Sequence, residues 1–300
     1  MKVKHGIFGL MTIVYTFLSF EGKSQTSSSE LFNQDDLKKV ATGYSFTEGC
    51  SADKNGNVYF TDQPNDKVWK YGTDGKISLF LDKTGRANGT FFDKKGNLIL
   101  CADEKGELWS VNKNGVPTII AKSYENKQLN GPNDLWIDPA GNIFFTDPYY
   151  QRDYWTRQKP DISHQSVYLI KKGSKTITLA ADSLNQPNGI VGSPDGKYLY
   201  VADAGAGKIF RYSIEKQGKL ANKKLLINHG SDGMTLDDKG NIYLTGNGVT
   251  IYNSEGQKIG QVKVPEGTSN VCFGGVENNI LYVTAKTSLY AIPMLVKGVE

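Results

Sequence analysis

One short phase relation constrains this chain more than any other feature. A turn of the type Asp-x-x-Gly-Asn occupies residues 53–57, and eight residues before its glycine, Gly56, stands Glu48. The same step from Gly96 gives Asn88, from Gly141 Asn133, from Gly196 Asn188 and from Gly240 Asp232. A sixth copy, residues 277–285, lacks the glycine but keeps the strand. Aligning Ile280 on Val58 puts Asn278 at the turn position and Asn270 eight residues before it. Six equivalent positions therefore carry Glu, Asn, Asn, Asn, Asp and Asn, all with side-chain oxygen.

The turn positions are separated by 40, 45, 55, 44 and 38 residues. That is the period of a four-stranded propeller blade. Each copy has the same parts: a short apolar strand opened by the phase residue, a polar turn, a second strand such as Ile143-Phe144-Phe145-Thr146, a third such as Ile209-Phe210-Arg211-Tyr212, and a last one. The expected fold is all-β, a six-bladed propeller over residues 37–300. Residues 37–46 have strand character and are expected to supply the outer strand of the last blade, closing the ring and removing an open edge. The Asp-x-x-Gly-Asn turns lack the twelve-residue pattern of a calcium loop with its terminal Glu, so they read as hairpin turns.

The N-terminus has the form of a secretory signal: Lys2, Lys4 and His5, then an apolar run over residues 7–20 too short to span a membrane comfortably, then small residues before Gln25. Residues 1–24 are expected to be removed and residues 25–36 to form a flexible leader, with a secreted or periplasmic mature protein and no membrane span. The formal charge is +4, and cleavage takes away Lys2, Lys4, Lys23 and Glu21. A near-neutral chain without a basic block gives no reason to expect nucleic acid or an anionic membrane as partner; the oligomeric state is left open. Cys50 and Cys272 lie in the first and last repeats, neighbours in a closed ring. A bridge between them is conceivable in an oxidising compartment, but the spacing of blades argues for buried free thiols.

In a propeller the first strand of each blade lines the channel, so the six phase residues converge on the axis. Two carboxylates there, Glu48 and Asp232, repel unless a proton or cation lies between them. Carboxylates with amide oxygens make a hard-cation site, calcium favoured by ligand type. Asp134 is expected to face away and bond structurally, and Asp62, Asp147 and Asp203, at the ends of second strands, to connect blades. His229 lies close in sequence to Asp232 and reads as a solvated loop residue. Ser231 and Ser269 have no His/Asp partner at a plausible spacing, which excludes a serine hydrolase.

Residues 148–166 break the period. They follow the second strand of the third blade, so they overhang the ring, and they hold Tyr149, Tyr150, Tyr154, Trp155, Arg152, Arg157 and Lys159. The expectation is a pocket wall in which Tyr150 and Trp155 stack on substrate and the cations meet a carboxylate; the alternative is a surface loop packed on itself with its cations solvated.

Taken in order and in phase, Thr47-Glu48-Gly49, Arg86-Ala87-Asn88-Gly89, Leu129-Asn130-Gly131-Pro132-Asn133-Asp134, Gln186-Pro187-Asn188-Gly189, Ser231-Asp232-Gly233 and Thr268-Ser269-Asn270 resemble the gluconolactonase/regucalcin family of six-bladed lactonases over residues 37–292. The resemblance implies metal ligands at Glu48, Asn133, Asn188 and Asp232, with one divalent cation that is calcium or else magnesium, manganese or zinc. It implies Asp232, or Glu48, as general base and a small-molecule lactone or ester as substrate. Arg86, Asn88 and Asn133 join Tyr150 and Trp155 as substrate-binding candidates. Two motifs depart from the family: Gly131 stands where the regucalcin branch has arginine, and Cys101-Ala102-Asp103 where the gluconolactonase branch has Cys-Glu-His. Both departures point away from plain gluconolactone as the natural substrate. The alternatives to a metal-dependent lactonase are a non-catalytic propeller that binds a sugar or peptide and a phosphotriesterase-like hydrolase on the same ring.

Overall fold

The computed structural model describes residues 1, 2 and 31–299. The expected signal sequence lies outside the described residues except for Met1 and Lys2. Six antiparallel four-stranded sheets follow one another. Their inner strands are Thr47–Ala52, Ala87–Phe92, Leu135–Ile137, Pro187–Gly192, Met234–Leu236 and Thr268–Gly274; the blades are numbered 1 to 6 in this order. Each inner strand packs on those of the blades before and after, and the sixth returns to the first, so the ring is closed. The seal is the strand Lys38–Thr42, which pairs antiparallel with Ser288–Pro293 as the outer strand of blade 6. The fold is the expected six-bladed propeller.

The turn signature has a direct cause. Asp53, Asp93, Asp138 and Asp237 each accept from the main-chain N–H and the amide of the asparagine four residues on, at 2.7–3.0 Å. Gly56, Gly96, Gly141 and Gly240 take φ of +77° to +91°, which glycine adopts without steric cost. Second strands such as Val58–Asp62 and Leu98–Ala102 are buried throughout, because both of their faces meet neighbouring blades. Outer strands such as Ile77–Asp82 are largely exposed.

One expectation about the leader is corrected. Leu31 and Phe32 are buried: Phe32 bridges to Met294, and the Leu31 carbonyl accepts from the Leu295 N–H. Two apolar side chains in a polar stretch find the core of blade 6, so the described end of the expected leader, residues 31–36, is tied down there. The C-terminal stretch then crosses the turn end of the ring, where Gly298 bridges to Asp237. Cys50, Cys101 and Cys272 are buried, and none of them forms a disulfide among the described residues. Among the described residues no helix is long and apolar enough to cross a membrane.

Candidate functional site

Five of the six phase residues meet. A cavity of about 310 Å³ at the head of the inner strands is lined by Glu48, Asn88, Asn133, Asn188 and Asp232, with Phe46, Gln63, Tyr150 and Arg152 as walls. Glycine follows four of the five for a steric reason. A Cβ at Gly49 would stand 1.9 Å from the Asn88 carbonyl oxygen, at Gly89 2.5 Å from that of Asn133 and at Gly189 2.3 Å from that of Asp232. Gly233 is as tightly held against Asn270. The dipeptides Glu-Gly, Asn-Gly and Asp-Gly are here the mark of blades touching at the axis. Asn270 keeps the phase but not the role: its side-chain oxygen accepts from the Val271 N–H at 2.7 Å, and it contributes nothing to the cavity wall.

Glu48 and Asp232 are in contact, and burial followed by mutual repulsion drives the Glu48 carboxyl well above the usual range. Burial also raises Asp232, against hydrogen bonds from Asn188 and Glu48 and the pull of Arg152. Asn188 turns its amide nitrogen to the Tyr150 hydroxyl at 3.1 Å. Asn88 and Asn133 are each 4% exposed and line the cavity, and no hydrogen bond among the described residues engages their amides. Amides open to a cavity beside two repelling carboxylates fit a hard cation, which takes oxygen of both kinds. Among the described residues no three His, Cys, Asp or Glu gather in one place, so any cation here must take amide oxygen as well.

The inserted segment divides. Tyr150 and Arg152 reach the cavity. Trp155 does not: it is buried, its indole lies 3.9 Å from the Arg157 guanidinium and it packs on Gly131. Arg157 is spent on the carbonyls of Leu129 (2.9 Å) and Asn130. The expected stacking by Trp155 and anion contact by Arg157 are thus corrected to a small core that holds the segment down. Lys159 is exposed. Arg86 lines a neighbouring cavity of about 650 Å³ and not the axial one.

The remaining candidates take structural places. Asp134 accepts from the N–H groups of Leu135 and Ile190, and burial pushes it up to about 7. Asp62, Asp147 and Asp203 each cap two successive N–H groups of the loop entering their own blade, at 2.8–3.2 Å. His229 is exposed, and the Ser231 hydroxyl is bonded to the Gly233 carbonyl. A cavity of about 410 Å³ at the turn end presents carboxylates already committed to their own turns.

Two residues that matter were given no site role from the sequence, Asp103 being marked there only as the end of the departing motif 101–103. Gln63 lines the axial cavity, and Asp103 accepts from Gln63, Arg152 and Tyr154 at 3.2, 2.8 and 2.7 Å. The available signal was register. Asp62 and Asp203 pair with the first residue of the inner strand, Thr47 and Pro187, whereas in blade 2 Ala102 holds that place opposite Ala87. Asp103 comes one residue later, level with Gln63 and Ala204, both on the cavity wall.

Comparison with known proteins bears on the same region. Residues 46–287 match the family model described as SMP-30/Gluconolactonase/LRE-like region. The chain is 27% identical to the gluconolactonase of Zymomonas mobilis, covering 84% of this chain and 82% of the relative. A solved structure described provisionally as a gluconolactonase superposes with a TM-score of 0.85 at 29% identity, covering 91% of this chain and 97% of that one. The gluconolactonase of Xanthomonas campestris gives 0.81 at 26%, covering 86% and 89%.

Proposed function

The chain belongs to the SMP-30/gluconolactonase/LRE-like family, and from that membership we propose that it is a hydrolase that opens lactone rings at the axial cavity. Relatives named for this chemistry support the reading. The observation that carries it is the pairing of buried Glu48 with half-buried Asp232 beside the cavity-facing amides of Asn88 and Asn133. A propeller that only binds ligand has no need of two repelling carboxylates at its axis.

Glu48, Asn133, Asn188 and Asp232 are the residues that would hold one divalent cation, calcium by ligand type. Such a cation supplies Lewis acidity toward the ester carbonyl. The protein's own groups do the rest. Opening a lactone adds one water: its oxygen bonds to the carbonyl carbon, the ring C–O bond breaks, and a proton passes from the water to the departing ring oxygen. Asp232 accepts that proton and returns it, and burial moves its proton affinity toward the working pH. Asn188, bonded to Tyr150, steadies the Asp232 carboxylate. Asn88, outside the cation-holding set, offers its amide to the substrate, the Asn133 amide nitrogen remains available beside it, and Tyr150 walls the cavity. The segment of basic and apolar residues before Gln25 supports a secreted or periplasmic mature protein.

The test is a panel of sugar lactones assayed with and without chelator, together with elemental analysis. Ring opening that stops on chelation and returns with the metal is expected, with about one equivalent bound. Full activity after complete removal of metal excludes the cation, and failure to open any lactone excludes the hydrolase.

A further inference from the structure

The cavity beside the axial site is lined by Arg86, Arg152 and Tyr154, and it shares Phe46, Gln63 and Arg152 with the axial cavity. One chain of contacts sets both guanidinium groups. Asp103 accepts from Arg152 Nε at 2.8 Å and from the Tyr154 hydroxyl at 2.7 Å. The Tyr154 ring lies 4.4 Å from the Arg86 guanidinium, whose Nη1 donates to the Pro64 carbonyl at 2.8 Å. These contacts occupy one edge of each arginine. A guanidinium has five N–H donors; among the described residues the rest pair with no carboxylate nearer than Glu104, which is 3.9 Å from Arg86 Nε and 42% exposed, while Glu48 and Asp232 act on Arg152 only at longer range across the axial cavity. Asp153, the one carboxylate among the lining residues, is exposed to solvent.

Register explains why Asp103 is free for this task. In blades 1, 3 and 4 the strand-end aspartate caps the incoming loop. In blade 2 that duty falls to Asp66, which accepts from the N–H groups of Thr84 and Arg86 at 2.9 and 2.7 Å. Asp66 thereby also fixes the backbone that carries Arg86. Asp103, one residue past the capping position, turns its carboxylate to the inserted segment instead.

Building on the lactone-hydrolase reading, we propose that Arg86 and Arg152 form an oxyanion subsite, and that the natural substrate is a lactone carrying a carboxylate or phosphate substituent. The anion sits between the two guanidinium forks while the ring reaches Asp232, because Arg152 faces both cavities. Fork geometry suits either anion, and partial burial strengthens the contact. Asp103 is the positioning residue: it touches no substrate, but it holds Arg152 and Tyr154 where they act.

The experiment compares kcat/KM for three lactones of matched ring: gluconolactone, the analogue with a terminal carboxylate, and the analogue with a terminal phosphate ester. Wild-type protein is expected to favour one anionic lactone at least about tenfold, the worth of one charge-assisted hydrogen bond. The favoured arm tells carboxylate from phosphate. R86Q and R152K should lose most of that preference, chiefly through KM. D103N, which keeps shape but loses charge, should lose part of it, and D103A should lose more. A merely structural Asp103 would lower all three substrates alike. Equal use of all three lactones by the wild type overturns the subsite and leaves the lactonase reading intact. If no lactone is opened, the lactonase reading fails, and the subsite is judged by calorimetry with the open-chain dicarboxylate and phosphate acids. Tighter binding of either to wild type than to R86Q upholds the subsite, and equal or absent binding overturns it.

Discussion

The Thr146 hydroxyl in blade 3 donates to the main-chain carbonyl of Asn188 in blade 4 at 2.7 Å. Thr61 makes the same bond to the Asn88 carbonyl at 3.1 Å, and Thr245 to the Ser269 carbonyl at 3.0 Å. In blades 1 and 3 a threonine hydroxyl on the second strand thus sets the height of the next blade's axial residue, and in blade 5 it holds the residue just before that position; blades 2 and 4 carry Cys101 and Ala202 there instead. Thr146 is fully buried, and its hydroxyl also accepts from the Asp134 N–H at 3.1 Å, so Thr146→Val leaves the Asn188 carbonyl without its donor and that N–H without its acceptor at nearly unchanged volume. A loss of about 1–3 kcal/mol is expected in urea denaturation, with a rise in KM as Asn188 loosens. Unchanged stability and unchanged KM would show that the bond positions nothing.

The ring was legible because two independent codes coincide. The Asp-x-x-Gly-Asn turn is built by local hydrogen bonds, and the axial residue lies a fixed strand length before it, so counting from Gly56 or Gly141 reaches the axis without knowledge of the fold. Asn270 shows the limit of counting. Phase gives the place of its Cα, but its amide bonds its own strand. The inserted segment has no period, so composition marked Tyr150, Arg152, Trp155 and Arg157 alike. Packing separates them, because Trp155 and Arg157 fill the space against Gly131 and Leu129 and leave Tyr150 and Arg152 facing the cavity. Asp103 was hidden by a one-residue offset from the capping aspartates. Leu31 and Phe32 were hidden by their polar neighbours.

Asp232 and Glu48 differ in what their amide analogues should do. Asp232→Asn removes the proposed proton acceptor and should lower kcat by about 100-fold or more, with metal content measured separately. Glu48→Gln should weaken metal binding, yet stabilise the chelated protein at pH 8. Burial and repulsion raise the Glu48 proton affinity, so its charge is a cost to the folded metal-free state at that pH. The gain expected in the urea midpoint is on the order of 1 kcal/mol. A lower midpoint for chelated Glu48→Gln would mean that the carboxylate is a net stabiliser even without metal.

Tyr150 and Trp155 should separate cleanly. Tyr150→Phe removes the hydroxyl that receives Asn188, and should alter kcat/KM with little change in stability. Trp155→Ala empties the small core under Arg157 and should cost about 3 kcal/mol or more, as loss of a buried aromatic does. Because the segment is local, the early sign is proteolytic nicking within residues 148–166. If Trp155→Ala stays resistant to protease and shifts only substrate preference, the indole belongs to the binding surface after all.

Glu266 fastens the closing strand. Its carboxylate takes Lys39 Nζ from the N-terminal strand at 2.9 Å, and the hydroxyls of Ser288 and Tyr290 from the adjoining strand at 2.8 and 2.7 Å. Burial alone would raise its proton affinity. The hydrogen bonds from Tyr290, Lys39 and Ser288 outweigh that and hold its pKa down to about 2, against 4.5 for an ordinary glutamate. The sign follows from linkage: a depressed carboxylate contributes stability that is present above the unfolded value and disappears as pH falls toward the folded one. The contribution of Glu266 is therefore complete at pH 6 and is lost between about 4.5 and 2. Glu266→Gln should be less stable than wild type at pH 6, and the difference should shrink as urea titrations are repeated at successively lower pH. The N-terminal strand should also become cleavable near Lys38 and Lys39 in Glu266→Gln at neutral pH. A stability difference that stays constant from pH 6 to pH 2.5 would show that the Glu266 charge does not fasten the strand.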